Sequence, residues 1–72
     1  MRRKTRNARK LGTIRRLTEK AVFLRLSGRI AEASRIESGV DSHVRQAERM
    51  GLDTISAEER AHNRAFKRYR NL

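Results

Sequence analysis

The apolar residues of this chain recur every three or four positions, and this spacing constrains the fold more than any other feature. Over about residues 6–27, and again over 29–50, they fall on one side of a helical wheel. The sequence has no sustained alternation of period two and no Asn-Gly or Asp-Gly turn, so nothing in it predicts a strand. Pro is absent, and only four Gly interrupt the pattern. We therefore predict an all-α fold, a small three-helix bundle.

Glycines set the expected helix ends. Gly28 and Gly51 each follow a periodic segment, where a residue without Cβ can adopt the left-handed conformation that ends a helix. Gly39 lies inside the second segment, but the apolar phase runs unbroken through it, which favours one helix over 29–50. The alternative is a turn at Gly39 that would leave a helix-turn-helix over about 30–48.

A third helix is predicted over 57–71. Ser56 and Glu59 have the spacing of a capping box, in which Ser56 is the N-cap of that helix. The whole of 1–72 is expected to form a single helical domain, with residues 1–8 as a basic arm that runs into the long first helix.

The chain is too small to bury a large core. It has 72 residues, and eight of its apolar residues are Ala. A domain of this size and composition gains stability from a partner, so a homodimer is one expectation. The longest apolar run, residues 21–24, is far too short to cross a bilayer. The expected protein is cytoplasmic and does not enter a membrane, although an Arg-rich N-terminal segment is also typical of organellar transit peptides.

Catalytic and metal-binding patterns are missing from the sequence. It has no Cys, which excludes disulfides, thiolate catalysis and the usual zinc sites. His43 and His62 have no second His or paired carboxylate at helical spacing. No Gly-rich phosphate loop or nucleophile elbow occurs. We expect a protein that is not an enzyme and that needs no metal or other cofactor.

Positive charge is concentrated at one end of the chain. The formal net charge is +11, of which residues 1–28 carry +9, residues 29–50 carry zero and residues 51–72 carry +2. An excess of this size favours polyanions as partners, and nucleic acid is the leading candidate. The neutral middle segment is expected to be structural.

Basic residues form a stripe on each of the two outer helices. The first helix carries them opposite its apolar side, and the third carries them at i, i+4 and i+7. Two such stripes on one side of the bundle would straddle a phosphate backbone; the alternative is that both are ordinary solvated faces. The candidate nucleic-acid-binding residues are Arg2, Arg3, Lys4, Arg6, Arg9, Lys10, Arg15, Arg16 and Lys20, with Arg60, Arg64 and Lys67 secondary.

Aromatic residues are too few to hold a single strand by stacking. Only Phe23, Phe66 and Tyr69 are present, whereas single-stranded ligands need successive stacking platforms. Folded RNA or duplex DNA is therefore favoured. Phe23 is expected to pack against the third helix and not against a base.

The order of these segments resembles a ribosomal family. The chain is similar to small-subunit ribosomal protein twenty of bacteria from about residue 7 to 72, through Asn7-Ala8, Arg15, Lys20, Gly28, Ala31, Ala33, Val44, Gly51, Leu52 and Arg60. The resemblance implies a three-helix bundle whose first helix binds 16S ribosomal RNA, with basic residues of the last helix near phosphates. Met50, Ser56, Glu58 and Glu59 depart from the family pattern, and the acidic pair weakens the ribosomal interpretation.

Two other classes of function use the same charge. A small helical adaptor or inhibitor, for example one encoded by a mobile element, would place its basic helices on an acidic protein surface of the nucleic-acid machinery. A cationic amphipathic helix also binds anionic membranes, but the neutral middle helix argues against that use.

Overall fold

Three helices make up the fold. The computed structural model describes the backbone of residues 2–72 and the side chains of residues 6–72. The helices are α1 (Arg2–Leu26), α2 (Ile30–Arg49) and α3 (Thr54–Arg70), and the described chain contains no strand. The predicted all-α three-helix bundle is confirmed. None of these helices combines the length and the apolar character that crossing a membrane requires.

Glycines end α1 and α2 as expected. Gly28 has a φ of +83° and Gly51 a φ of +75°, which is the left-handed region that L side chains rarely adopt. Beyond α1, the Arg29 N–H donates to the Leu24 carbonyl at 2.8 Å and the Gly28 N–H donates to the Arg25 carbonyl at 3.1 Å. This is the Schellman pair of hydrogen bonds. The same pair closes α2 around Gly51.

The structure confirms one expectation about the helices, the continuity of α2, and corrects another, the start of α1. α2 runs through Gly39 without a break, so the helix-turn-helix alternative is wrong. α1 begins at Arg2 and not near residue 6. The segment 1–8, expected as an arm, is therefore helical from Arg2 onward, because its Arg, Lys and Ala residues are good helix formers.

The predicted start of α3 is wrong. Asp53, not Ser56, is the N-cap, and its carboxylate accepts the Ser56 backbone N–H at 3.1 Å and the Ser56 hydroxyl at 2.7 Å. These two bonds lower the pKa of Asp53. Ser56 thus stands inside the first turn, and the box with Glu59 does not form. The earlier start adds Thr54, which is buried against the rest of the bundle.

The core is small and centres on α1. α1 packs against both α2 and α3, whereas α2 and α3 have few contacts with each other. The buried apolar residues are Ile14, Ala21 and Leu24 of α1, Ala33, Val40 and Ala47 of α2, and Ala57, Ala61 and Ala65 of α3. Because the apolar residues that α3 buries are all Ala, its backbone can lie close to α1. α1 therefore has one side open to solvent and another at the bottom of a gap between α2 and α3.

Candidate nucleic-acid interface

The basic stripes of α1 and α3 meet along one groove. Its walls are formed by Arg15 and Arg16 of α1 and by Arg60 and Arg64 of α3. We call this feature the basic groove. Its volume is about 240 Å³, and all four Arg side chains are exposed to solvent. The packing that would let two stripes straddle a phosphate backbone is therefore present between α1 and α3.

Small residues bring the two stripes together. Gly12 of α1 and Ala61 of α3 also line the basic groove, and both are buried. The Ala61 methyl group is small enough to let α3 lie close to α1, whereas a Cβ at Gly12 would meet only the Arg16 side chain of its own helix, at 3.5 Å. The Arg residues on either side consequently project from two closely packed backbones into the same space.

One carboxylate lies among these guanidinium groups. Glu19 of α1 lines the basic groove, and its side chain is only 16% exposed. Its Oε1 accepts a hydrogen bond from Arg68 Nη1 at 3.2 Å, and Arg64 Nε lies 3.7 Å from the same oxygen. Glu19 thus fixes two Arg side chains of α3 against α1. A single negative charge leaves the groove strongly positive.

Arg68 is held on a second side by an aromatic ring. Its guanidinium carbon lies 5.2 Å from the centroid of the Phe23 ring, within the range of a cation–π contact. Phe23 in turn meets Tyr69 edge to face, with the ring centroids 6.2 Å apart and an interplanar angle of 74°. The prediction that Phe23 packs against the third helix is confirmed. Its ring is occupied by protein contacts.

The positive surface continues along both ends of α1. Toward the C-terminal end, Lys20 and Phe23 line a shallow depression that Arg68 closes from α3. Toward the N-terminal end, Arg9 is exposed, and its carbonyl accepts a hydrogen bond from the Thr13 hydroxyl at 2.9 Å. The line of positive charge therefore extends beyond the basic groove on the solvent side of α1.

Lys10 occupies a different position from the other predicted residues. Its ammonium group donates to His43 Nδ1 at 2.8 Å and also to the Gln46 side-chain carbonyl. Both partners belong to α2. Lys10 thus joins α1 to α2 at the edge away from α3, where Arg6 and Arg9 line the same depression.

The structure places the predicted site residues in several parts of the surface. The basic groove brings together Arg15, Arg16, Arg60 and Arg64. Arg6, Arg9 and Lys10 line a depression that α1 shares with α2. Lys20 lies beside Phe23, and Lys67 is exposed without lining the groove. Side chains of the remaining three, Arg2, Arg3 and Lys4, lie outside the described residues.

Two residues of this surface are not in the candidate set. Arg68 follows Arg64 by four positions, and this helical spacing places it in the positive field of the third helix. Glu19 is the only acidic residue in 1–28, and that isolation is the signal that could have identified it. The partner helix of Glu19 depends on the packing and could not be read from the sequence.

Arg25 is occupied by an ion pair and lies apart from the basic groove. It donates two hydrogen bonds, of 2.9 and 2.6 Å, to the Glu37 carboxylate of α2. These bonds raise the pKa of Arg25 and lower the pKa of Glu37. The pair ties α1 to α2 and leaves less of this charge for a ligand.

No cluster of three His, Cys, Asp or Glu side chains that could hold a metal ion occurs in the described part of the chain. No family model, curated protein or solved structure matches the sequence or the fold.

Proposed function

We propose that the protein binds helical nucleic acid, folded RNA or duplex DNA, by neutralising backbone phosphates in the basic groove. The observation that carries the proposal is the convergence of Arg15 and Arg16 with Arg60 and Arg64 from a second helix, with a single carboxylate among them. Ordinary solvated faces would not need to meet in one groove.

Arginine suits this task for chemical reasons. The guanidinium group is planar and always charged, and it can donate two parallel hydrogen bonds to the oxygens of one phosphate. Each phosphate that is neutralised releases condensed counterions, so affinity should fall steeply with salt concentration. Because the residues come from two helices, the groove presents two lines of charge to the backbone.

The aromatic contacts favour a helical ligand over a single strand. Phe23 is engaged by Arg68 and Tyr69, and so it is not free to stack on a base. Phosphates are the part of a duplex or folded RNA that such a surface can reach. The resemblance to ribosomal protein twenty makes a structured fragment of ribosomal RNA one ligand to test.

The experiment is a salt titration of binding to duplex DNA, a structured ribosomal RNA fragment and a single strand. It compares the wild-type protein with a variant that carries Arg15→Gln and Arg64→Gln. The control variant carries Arg35→Gln and Arg45→Gln, which remove the same charge from exposed positions of α2 that make no ion pair among the described residues.

Loss of two phosphate contacts should reduce the log–log salt slope on duplex DNA by about 1.8 and the affinity at 0.1 M salt by roughly sixty-fold. The control should change affinity by a few-fold at most. Equal losses in both variants would show that binding follows net charge and not the basic groove. Wild-type affinity no better than that of a poly-Lys peptide of equal charge would contradict the proposal, and an acidic protein partner would then be sought by pull-down.

A further inference from the structure

A second groove, with the opposite charge, lies between α2 and α3. It is open because these two helices have few contacts with each other. Its floor is formed by Thr18 and Val22 of α1 with Val40 of α2, and Asp41 and Glu58 stand on its two walls. We call this feature the acidic groove; its volume is about 140 Å³. The acidic groove is bounded on α3 by Glu58 and His62, and the basic groove by Arg60 and Arg64. The two grooves therefore lie on either side of the stripe of Ala residues by which α3 packs on α1.

The two carboxylates on its walls have no counter-charge. Asp41 and Glu58 form no ion pair within the described part of the chain, and Asp41 makes none with Arg45 four residues later. Glu37, also on the α2 wall, is already paired with Arg25. Two unneutralised carboxylates that face one cavity create a local preference for a cation, against the field of a protein whose net charge is +11.

Thr18 supplies an independent observation. The residue is 6% exposed, and its hydroxyl is the one buried polar side-chain atom of the described chain that has no hydrogen-bond partner. A Thr inside a helix commonly donates to the carbonyl four residues earlier, but Thr18 does not. Buried hydroxyl groups are normally satisfied. An unsatisfied one beneath two free carboxylates indicates a missing donor or acceptor in the groove.

We propose that the acidic groove binds an alkylammonium group, as carried by a polyamine. An ammonium group has three N–H donors, which matches the two carboxylates and one hydroxyl offered by Asp41, Glu58 and Thr18. The methylene chain of the ligand packs on the apolar floor at Val22 and Val40. A metal ion suits the site less, since the described residues provide no cluster of three metal-ligating side chains.

The site also has two basic neighbours. His62 of α3 lines the acidic groove, and Arg25 of α1 is paired with Glu37. Arg25 forms no ion pair with Asp41 or Glu58, so both of these carboxylates remain free for a cation.

The test measures binding of spermidine to the full chain by calorimetry, with amide and methyl NMR shifts to locate it. Asp41→Asn and Glu58→Gln should each weaken binding about tenfold, since each removes one charge-assisted hydrogen bond. The matched control is Glu59→Gln. It removes the same charge from the same helix but lies outside the groove, and it should leave affinity within about twofold.

Thr18→Val distinguishes a ligand-binding hydroxyl from an inert one. The substitution keeps the shape of the side chain and removes only the unsatisfied hydroxyl, so the fold should be at least as stable as in the wild type. If the proposal holds, spermidine affinity should nevertheless fall about fivefold. This combination of undiminished stability and weaker binding would not arise from structural damage.

A second binding experiment distinguishes a free polyamine from a lysine side chain of a partner protein, since both carry an alkylammonium group. A short peptide with one Lys side chain replaces spermidine, and butanediol serves as the uncharged control. Binding of the peptide alone would assign the groove to a lysine of a protein partner, whereas binding of spermidine would assign it to a free polyamine. No binding of either at millimolar concentration, or equal loss in Glu59→Gln and Asp41→Asn, would overturn the proposal. Neither result depends on nucleic-acid binding, because the basic groove is lined by other residues and the assay contains no nucleic acid.

Discussion

Replacement of Glu19 by Gln should make the protein bind nucleic acid more tightly and fold less stably. Glu19 is the one carboxylate of the basic groove, and its Oε1 lies 3.2 Å from Arg68 Nη1 and 3.7 Å from Arg64 Nε. Gln has almost the same shape but no charge. Both Arg side chains then lose their counter-charge while their positions on α3 are retained.

The two effects can be given magnitudes. Glu19 is mostly buried at 16% exposure, but Arg64 and Arg68 are 77% and 59% exposed, so water replaces much of the lost interaction. We expect the free energy of unfolding to fall by about 1 kcal/mol. One additional positive charge in the groove corresponds to one more neutralised phosphate. The salt slope should then steepen by about 0.9, and the affinity should rise roughly eightfold at 0.1 M salt.

Two measurements decide this prediction. Urea unfolding gives the change in stability, and fluorescence anisotropy with duplex DNA or structured RNA at several salt concentrations gives affinity and slope. Glu59→Gln is the control, because it makes the same change in net charge at an exposed position outside the groove. If Glu19→Gln weakened binding, or if Glu59→Gln tightened it equally, the basic groove would not be the phosphate site.

Three further predictions concern the fold. Ile14 is fully buried, so Ile14→Ala should lower the free energy of unfolding in urea by about 2–5 kcal/mol. This is a large share of the roughly 4–10 kcal/mol expected for a chain of this length. A loss below about 1 kcal/mol would contradict the observed packing. An added Cβ at Gly39 meets nothing within 4 Å, so Gly39→Ala should raise the free energy of unfolding by about 0.5–1 kcal/mol. Gly51 has a φ of +75°, so Gly51→Ala should lower the free energy of unfolding by about 1 kcal/mol. A change of the same sign in both variants would show that α2 does not end at Gly51. The Ser56 hydrogen bonds keep the folded-state pKa of Asp53 below its ordinary value of 3.8, so this stabilisation is complete at neutral pH and is lost as the pH falls from about 5 through the folded pKa. Asp53→Asn should remove that part of the pH dependence of stability, measured by thermal melts at a series of acidic pH values. An unchanged pH dependence would show that the Asp53 cap does not stabilise the fold.

Local signals in the sequence predicted most of the helix boundaries. Gly28 and Gly51 ended helices because the Schellman arrangement depends on a residue that tolerates positive φ. Continuity through Gly39 followed from the unbroken apolar phase. The start of α3 was misplaced because Asp53 and Ser56 are both good caps, and the choice between them depends on tertiary structure. Burial of Thr54 favours the earlier start.

Which helix lies beside each face of α1 could not be predicted from the sequence. A helical wheel places Lys10 and Arg15 on the edges of the basic side without assigning either a neighbour. In the folded chain Lys10 bonds to α2 and Arg15 faces α3. Packing alone makes Lys10 a link between helices and Arg15 part of a groove, so the sequence could not divide the candidate residues between these two positions.

The two grooves have a common origin in the way α3 is packed. Its buried residues Ala57, Ala61 and Ala65 let α3 approach α1 closely, which aligns Arg60 and Arg64 with the basic stripe of α1. The same small side chains do not reach across to α2, so a groove remains between α2 and α3 over the face of α1 that carries Thr18, whose hydroxyl has no partner. A larger residue at Ala61 would push α3 away from α1 and would displace Arg60 and Arg64 of the basic groove together with Glu58 of the acidic groove. Ala61→Leu is therefore expected to reduce both nucleic-acid affinity and amine affinity, whereas Asp41→Asn should reduce amine affinity alone.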